Sequence, residues 1–139
     1  MAKILVAEDD KFLANAYRIK LVREGYDVKI CYDGEEVFRS LENYTPDLII
    51  LDLIMPRMDG FLVLEYLKKT EKWENIPVIV VSNLGQSEDI VRATKLGAED
   101  YMIKTDLSMK NLAEKVGAIV RKNSPSTSNN VETSKEGEK

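Results

Sequence analysis

Short apolar runs alternate with longer amphipathic stretches along this chain, and no other feature constrains the fold as tightly. KILVA (3–7), DVKICY (27–32), DLIILDL (47–53), IPVIVVS (76–82) and DYMIK (100–104) are strand candidates. The third and fourth are almost wholly apolar, as expected of strands covered on both faces. The stretches between them carry apolar residues at helical spacing: Leu13, Ala16, Tyr17 and Leu21 over 11–24, and Phe61, Leu64, Tyr66 and Leu67 over 60–72. Further helices are predicted over 34–43, 87–96 and 108–122, the last with Leu112, Val116, Ile119 and Val120 along one side. Five strands alternating with five helices predict an α/β fold: a doubly wound, five-stranded parallel sheet, (βα)5, with helices on both faces.

Punctuation supports these boundaries. Asp10 is placed as the N-cap of the first helix and Gly25 as its terminator. Asp33 and Glu36 form a capping-box pattern for the second. MPRMDG (55–60) is read as a loop, with Asp59 capping the helix that follows. Trp73 is read as packing at a helix end, and Cys31 as a small buried apolar residue. Residues 1–122 are expected to form one domain. Residues 123–139, rich in Ser, Thr, Asn, Glu and Lys with Val131 as their one apolar residue, are expected to be a disordered tail.

Composition removes several function classes. The 139 residues include 44% hydrophobic and 32% charged side chains, enough for one packed core. A net charge of −4 does not resemble the basic footprint of a nucleic-acid binder, so no direct nucleic-acid contact is expected. The apolar runs are too short to insert in a membrane, and no signal peptide is read at the N-terminus, which makes a cytoplasmic location the expectation. Histidine is absent, so no His-dependent nucleophile or zinc site can be built.

In doubly wound sheets, ligands bind beyond the carboxyl ends of the strands. The first strand ends in Glu8-Asp9, the third in Asp52, the fourth in Ser82 and the fifth in Lys104. Two like charges about 4 Å apart repel by about 4 kcal/mol at an effective dielectric of about 20, so clustered acids call for a compensating cation. Carboxylate oxygens suit a hard ion such as Mg²⁺. A carboxylate can also act as a nucleophile toward phosphorus, with an ammonium and a hydroxyl stabilising the transferring group.

With Glu8-Asp9, DLIMPRMDG around Asp52, SNLG after the fourth strand and GAEDYMIK leading to Lys104, residues 1–122 resemble the receiver domain of two-component response regulators, in its single-domain CheY-like form. The resemblance implies that Asp52 is the phosphoacceptor. Mg²⁺, with Mn²⁺ as a substitute, would be held by Glu8, Asp9, Asp52 and the Ile54 backbone carbonyl. Lys104 and Ser82 would contact the phosphoryl group, and Ser82 and Tyr101 would form the switch. It further implies a histidine kinase or phosphotransfer protein as donor, and a downstream protein target bound through helix 87–96, strand 100–103 and helix 108–122. The chain would be a monomer or a phosphorylation-dependent dimer. It would be no enzyme beyond catalysing its own phosphorylation and dephosphorylation.

Departures from the family pattern carry their own expectations. Thr105 stands where proline usually follows the lysine, so either the Lys104–Thr105 bond is cis at a cost of roughly 2.5–4 kcal/mol or the loop rearranges. Ile54 and Leu84, two residues beyond Asp52 and Ser82, are apolar and are expected to hinder hydrolytic water. Two rival readings remain: an unphosphorylated interaction module that keeps only the fold, and a phosphatase of the aspartyl-phosphate type. The first would be expected to have lost an acid or the lysine. The second needs an acid where Ile54 stands.

Overall fold

The computed structural model describes residues 1–123. In chain order its elements are β1 (Lys3–Ala7), α1 (Lys11–Arg23), β2 (Asp27–Cys31), α2 (Gly34–Leu41), β3 (Leu48–Leu51), β4 (Ile54–Met55), β5 (Met58–Asp59), α3 (Gly60–Lys69), β6 (Val78–Ser82), α4 (Ser87–Leu96), β7 (Asp100–Ile103), a 3₁₀ turn at Lys104–Asp106, and α5 (Met109–Asn123). The main sheet has the order β2-β1-β3-β6-β7, and every neighbouring pair is parallel. This is the doubly wound fold that the alternation predicts.

Side-chain alternation along the strands divides the core in two. Ile4, Val6, Ile50 and Val81 face Tyr17 and Leu21 of α1 and Leu112 and Val116 of α5. Leu5, Ala7, Leu51 and Val80 face Val37 of α2, Leu64 and Leu67 of α3 and Ala93 of α4. Full burial of one such Leu, Ile or Val contributes about 1.5–3 kcal/mol. Because the chain steps from β1 outward to β2 and then back across to β3, the order reverses between β1 and β3. A crevice opens beyond their carboxyl ends.

Three aspartates cap the helices as predicted. Asp10 accepts from the Phe12 and Leu13 N–H groups, Asp33 from Glu36 N–H at 2.9 Å, and Asp59 from Phe61 N–H at 2.8 Å. The Glu36 carboxylate reaches back to Tyr32 N–H, one residue before the cap.

MPRMDG is not a plain loop. Ile54–Met55 and Met58–Asp59 pair antiparallel, so Pro56 and Arg57 form the tip of a miniature hairpin. Strands of two residues have no hydrophobic run to announce them. Arg57 sits at φ 69°, a left-handed conformation that costs an L-residue about 1 kcal/mol. Its guanidinium lies 2.6 Å from the buried Asp33 carboxylate, which ties the hairpin to the start of α2.

The Arg57 hydrogen bond is the main cause that holds Asp33 below its ordinary carboxylate value, with the Glu36 N–H adding to it. The stability this contributes is present above the unfolded-state value of about 3.9 and is lost as pH falls through the folded one. Asp33→Asn retains a good cap and loses the charge pair. Its urea midpoint should lie below wild type at pH 7, and the gap should close as pH drops below about 4. A gap that stays constant from neutral to acid pH would remove the ion pair from the account.

Three further expectations meet the structure. No peptide bond among the described residues is cis, so Lys104–Thr105 is trans and the chain instead enters the 3₁₀ turn. Trp73 is buried just beyond α3 and packs on Phe38 and Tyr66. Asn123, assigned to the tail, is the last residue of α5, and the rest of the tail lies outside the described residues.

Candidate functional site

Backbone pairing sets the site. Asp52 N–H donates to the Ala7 carbonyl at 3.0 Å, and Glu8 N–H to the Cys31 carbonyl at 2.9 Å. Both residues therefore continue the ladder one step past their strands. By strand parity Glu8 follows Ile4 and Val6, Asp52 follows Ile50, and Lys104 follows Met102 onto the face covered by α1 and α5. There Lys104 Nζ lies 2.8 Å from Asp52 Oδ2 and 2.9 Å from Glu8 Oε1. Glu8 and Asp52 are buried while Asp9 beside them is exposed.

Charge is unevenly compensated here. Burial pushes Glu8 above the ordinary carboxylate value, and the Asp52 charge adds to this, against the Lys104 and Asp10 N–H contacts. Burial also pulls Lys104 down, but bonds to Asp52 and Glu8 outweigh it and raise its value overall. Oxygen atoms of Glu8, Asp9 and Asp52, one from each, lie within 4.8 Å of one another. Three carboxylates against one ammonium, all oxygen donors and one of them exposed to entry, fit a hard divalent cation. Glu8 Oε1 faces the Lys104 ammonium at 2.9 Å and shares it with Asp52, so one cation serves two buried carboxylates.

A cavity of about 270 Å³ is lined by these residues together with Asp10, Ile54 and Asn83. Ile54 N–H donates to Asp52 Oδ1 at 3.1 Å, while its side chain is 54% exposed at the rim. Phe12, in the first turn of α1, is 92% exposed beside the Asp10 cap. A larger apolar hollow, lined by Phe38, Met58, Leu62 and Tyr66, has no comparable cluster. Its Glu65 and Lys69 are bonded to each other at 2.6 Å.

Ser82 and Tyr101 do not join this cavity. Ser82 follows Val78 and Val80 toward the opposite face, where Tyr101 also packs. Both are tied to Leu84: its N–H donates to Ser82 Oγ at 3.2 Å, and its carbonyl accepts from the Tyr101 hydroxyl. Leu84 is half-buried against the core and does not line the cavity, so only Ile54 of the two apolar flanking residues stands over the acids. The residue that strand parity selects is Asn83, which follows Ile79 and Val81 onto the acid face.

Known proteins resemble this chain in sequence and in fold. The response regulator receiver domain family matches residues 4–117. The DNA-binding dual master transcriptional regulator RpaA of Synechocystis sp. is 34% identical over 122 residues, covering 88% of this chain and 50% of the relative. The alkaline phosphatase synthesis transcriptional regulatory protein PhoP of Bacillus subtilis is 35% identical, covering 86% and 49%. The chain thus spans about half the length of these curated relatives. Among solved structures, the receiver domain of the Francisella response regulator 1452 superposes with a TM-score of 0.82 at 31% identity, covering 89% of this chain and 100% of that one. The signal receiver domain of a histidine kinase from Syntrophus aciditrophicus gives 0.83 at 31%, covering 94% and 98%.

Proposed function

This chain belongs to the response regulator receiver domain family of two-component systems, and from that premise we propose that it is a signalling switch thrown by phosphorylation of Asp52. The observation that carries the reading is the buried Asp52 carboxylate, held by Lys104 and Ile54 N–H at the mouth of an acidic cavity.

The chain has no histidine, so a phosphohistidine donor lies outside these 139 residues, on a histidine kinase or a phosphotransfer protein. A carboxylate oxygen of Asp52 attacks phosphorus, the P–N bond to the donor imidazole breaks, and an acyl phosphate forms. Glu8, Asp9, Asp52 and the Ile54 carbonyl are the groups that would hold Mg²⁺. When bound, it neutralises charge on the carboxylates and the phosphoryl oxygens. Lys104 follows the new charge from the carboxylate to a phosphoryl oxygen. Ser82 gives up the Leu84 N–H and turns its hydroxyl toward the same group. Release of Leu84 frees Tyr101, and the face made by α4, β7 and α5 changes its preferred partner protein. Exposed Phe12 and Ile54 offer an approaching donor protein an apolar rim.

Incubation with Mg²⁺ and acetyl phosphate tests this reading, with intact mass as the readout. One added phosphoryl group of about 80 Da that requires Mg²⁺ supports it. Continuous release of free phosphate with no adduct would favour a phosphatase instead. An unmodified chain that does not bind Mg²⁺ would favour a bare interaction module.

Ile54 sets a second expectation. Its exposed side chain lines the cavity that holds Asp52, where it would hinder the approach of hydrolytic water to the acyl phosphate. Ile54→Asn should shorten the adduct's half-life by about tenfold, the effect of about 1.4 kcal/mol on the barrier. Equal half-lives for variant and wild type would show that the side chain does not shield the bond.

A further inference from the structure

One side-chain hydroxyl in the core on this side of the sheet, that of Tyr17, is buried without a hydrogen-bond partner among the described residues. Tyr17 is wholly buried on α1, in the cluster that includes Val6 and Ile50, the residues two positions before Glu8 and Asp52 on the same face of the sheet. Burial raises the phenol strongly, and the charges that add to this are Glu8 first, then Asp52 and Asp10. The hydroxyl therefore sits in the field of the acid site without being bonded to it.

Packing alone does not account for this side chain. A phenylalanine would fill the same volume and leave no unpaired hydroxyl, and burial of such a group opposes folding. A phenol is a neutral donor, and a carboxylate only accepts. We propose that Tyr17 is a positioning residue whose hydroxyl donates to Glu8 once Lys104 has left that carboxylate. In the present structure Lys104 spans Glu8 and Asp52. Loading of the site with a cation, or with a phosphoryl group on Asp52, draws the ammonium away from Glu8. Glu8, 1% exposed, then keeps the Asp10 N–H as its one protein donor, on its other oxygen. The Tyr17 hydroxyl fills that gap and holds the carboxylate in its metal-facing orientation. This inference rests on the proposed phosphoryl-accepting role of the site.

The test compares wild type with Tyr17→Phe by calorimetric titration with Mg²⁺, and by urea unfolding in a chelator. The variant should bind Mg²⁺ about threefold to tenfold more weakly, the worth of one hydrogen bond. In the chelator it should unfold at the same or a higher urea concentration. In a Glu8→Gln background the Tyr17→Phe effect on Mg²⁺ binding should vanish. Because the other tyrosines cancel, the wild-type minus variant absorbance spectrum isolates Tyr17. That band should shift to the red on Mg²⁺ addition. Equal Mg²⁺ affinities, a lower urea midpoint in the chelator, or an unchanged effect in the Glu8→Gln background would each overturn the inference and leave Tyr17 a packing residue. A wild-type chain that binds no Mg²⁺ would overturn the reading of the site itself and this role with it.

Discussion

Asp52→Asn is expected to take no phosphoryl group from acetyl phosphate under conditions that load the wild-type chain, and to unfold at nearly the same urea concentration. The two halves follow from one geometry. Asn has no anionic oxygen to attack phosphorus, so adduct formation stops entirely. Its one carbonyl oxygen can stand in for Oδ1, which accepts from Ile54 N–H at 3.1 Å, while the amide NH2 in the place of Oδ2 gives up the Lys104 bond at 2.8 Å and leaves that ammonium to Glu8. The charge attraction to Lys104 is lost, but so is the repulsion from buried Glu8, and the two oppose each other. Intact mass measures the first half and urea unfolding the second. A phosphoryl adduct on the variant would move the acceptor elsewhere. A collapse in stability would mean that Asp52 serves the fold before it serves any reaction.

Gly60→Ala is expected to cost about 3 kcal/mol, against the usual gain from replacing glycine in a helix. Gly60 opens α3 and donates its N–H to the Leu53 carbonyl at 3.0 Å. A Cβ there would stand 2.3 Å from Leu53 Cα and 2.7 Å from its carbonyl carbon and oxygen. These are main-chain atoms, so no rotamer change relieves the clash. The hairpin that carries Ile54 and Arg57 would have to swing away from its base. Urea unfolding should show the loss, and phosphorylation with acetyl phosphate should slow along with it. A loss below about 1 kcal/mol would mean that the turn relaxes and that close approach of the backbones does not hold the hairpin.

Much of the site is legible in the sequence because strand ends are easy to find and parity does the rest. Glu8, Asp52 and Lys104 each follow an apolar run in sequence, and each falls on the face covered by α1 and α5. The same parity, applied to IPVIVVSN, separates Ser82 from the acid face and places Asn83 there. Matching motifs without counting strand positions hides that distinction. The β4–β5 hairpin is hidden for another reason. Its two-residue strands carry no pattern, and what fixes it is an Arg57–Asp33 pair joining residues far apart in sequence. Tyr17 lies on the buried helix face that its spacing predicts. Periodicity registers its ring and says nothing of its hydroxyl, whose lack of a partner emerges only when the core is assembled. The Lys104–Thr105 bond stands between two geometries in the sequence because the chain departs from the proline pattern there. The 3₁₀ turn shows how the chain continues with every bond trans.

Leu84 holds Ser82 through its amide hydrogen and Tyr101 through its carbonyl oxygen. Every amino acid supplies that oxygen, and every one except proline supplies that hydrogen. The link between the two proposed switch residues is therefore indifferent to the side chain at position 84. Substitution there would alter how the loop packs or what it touches and leave this backbone link between the two hydroxyls in place. Proline at this position, or loss of the hydroxyl at Ser82 or Tyr101, would break that backbone link.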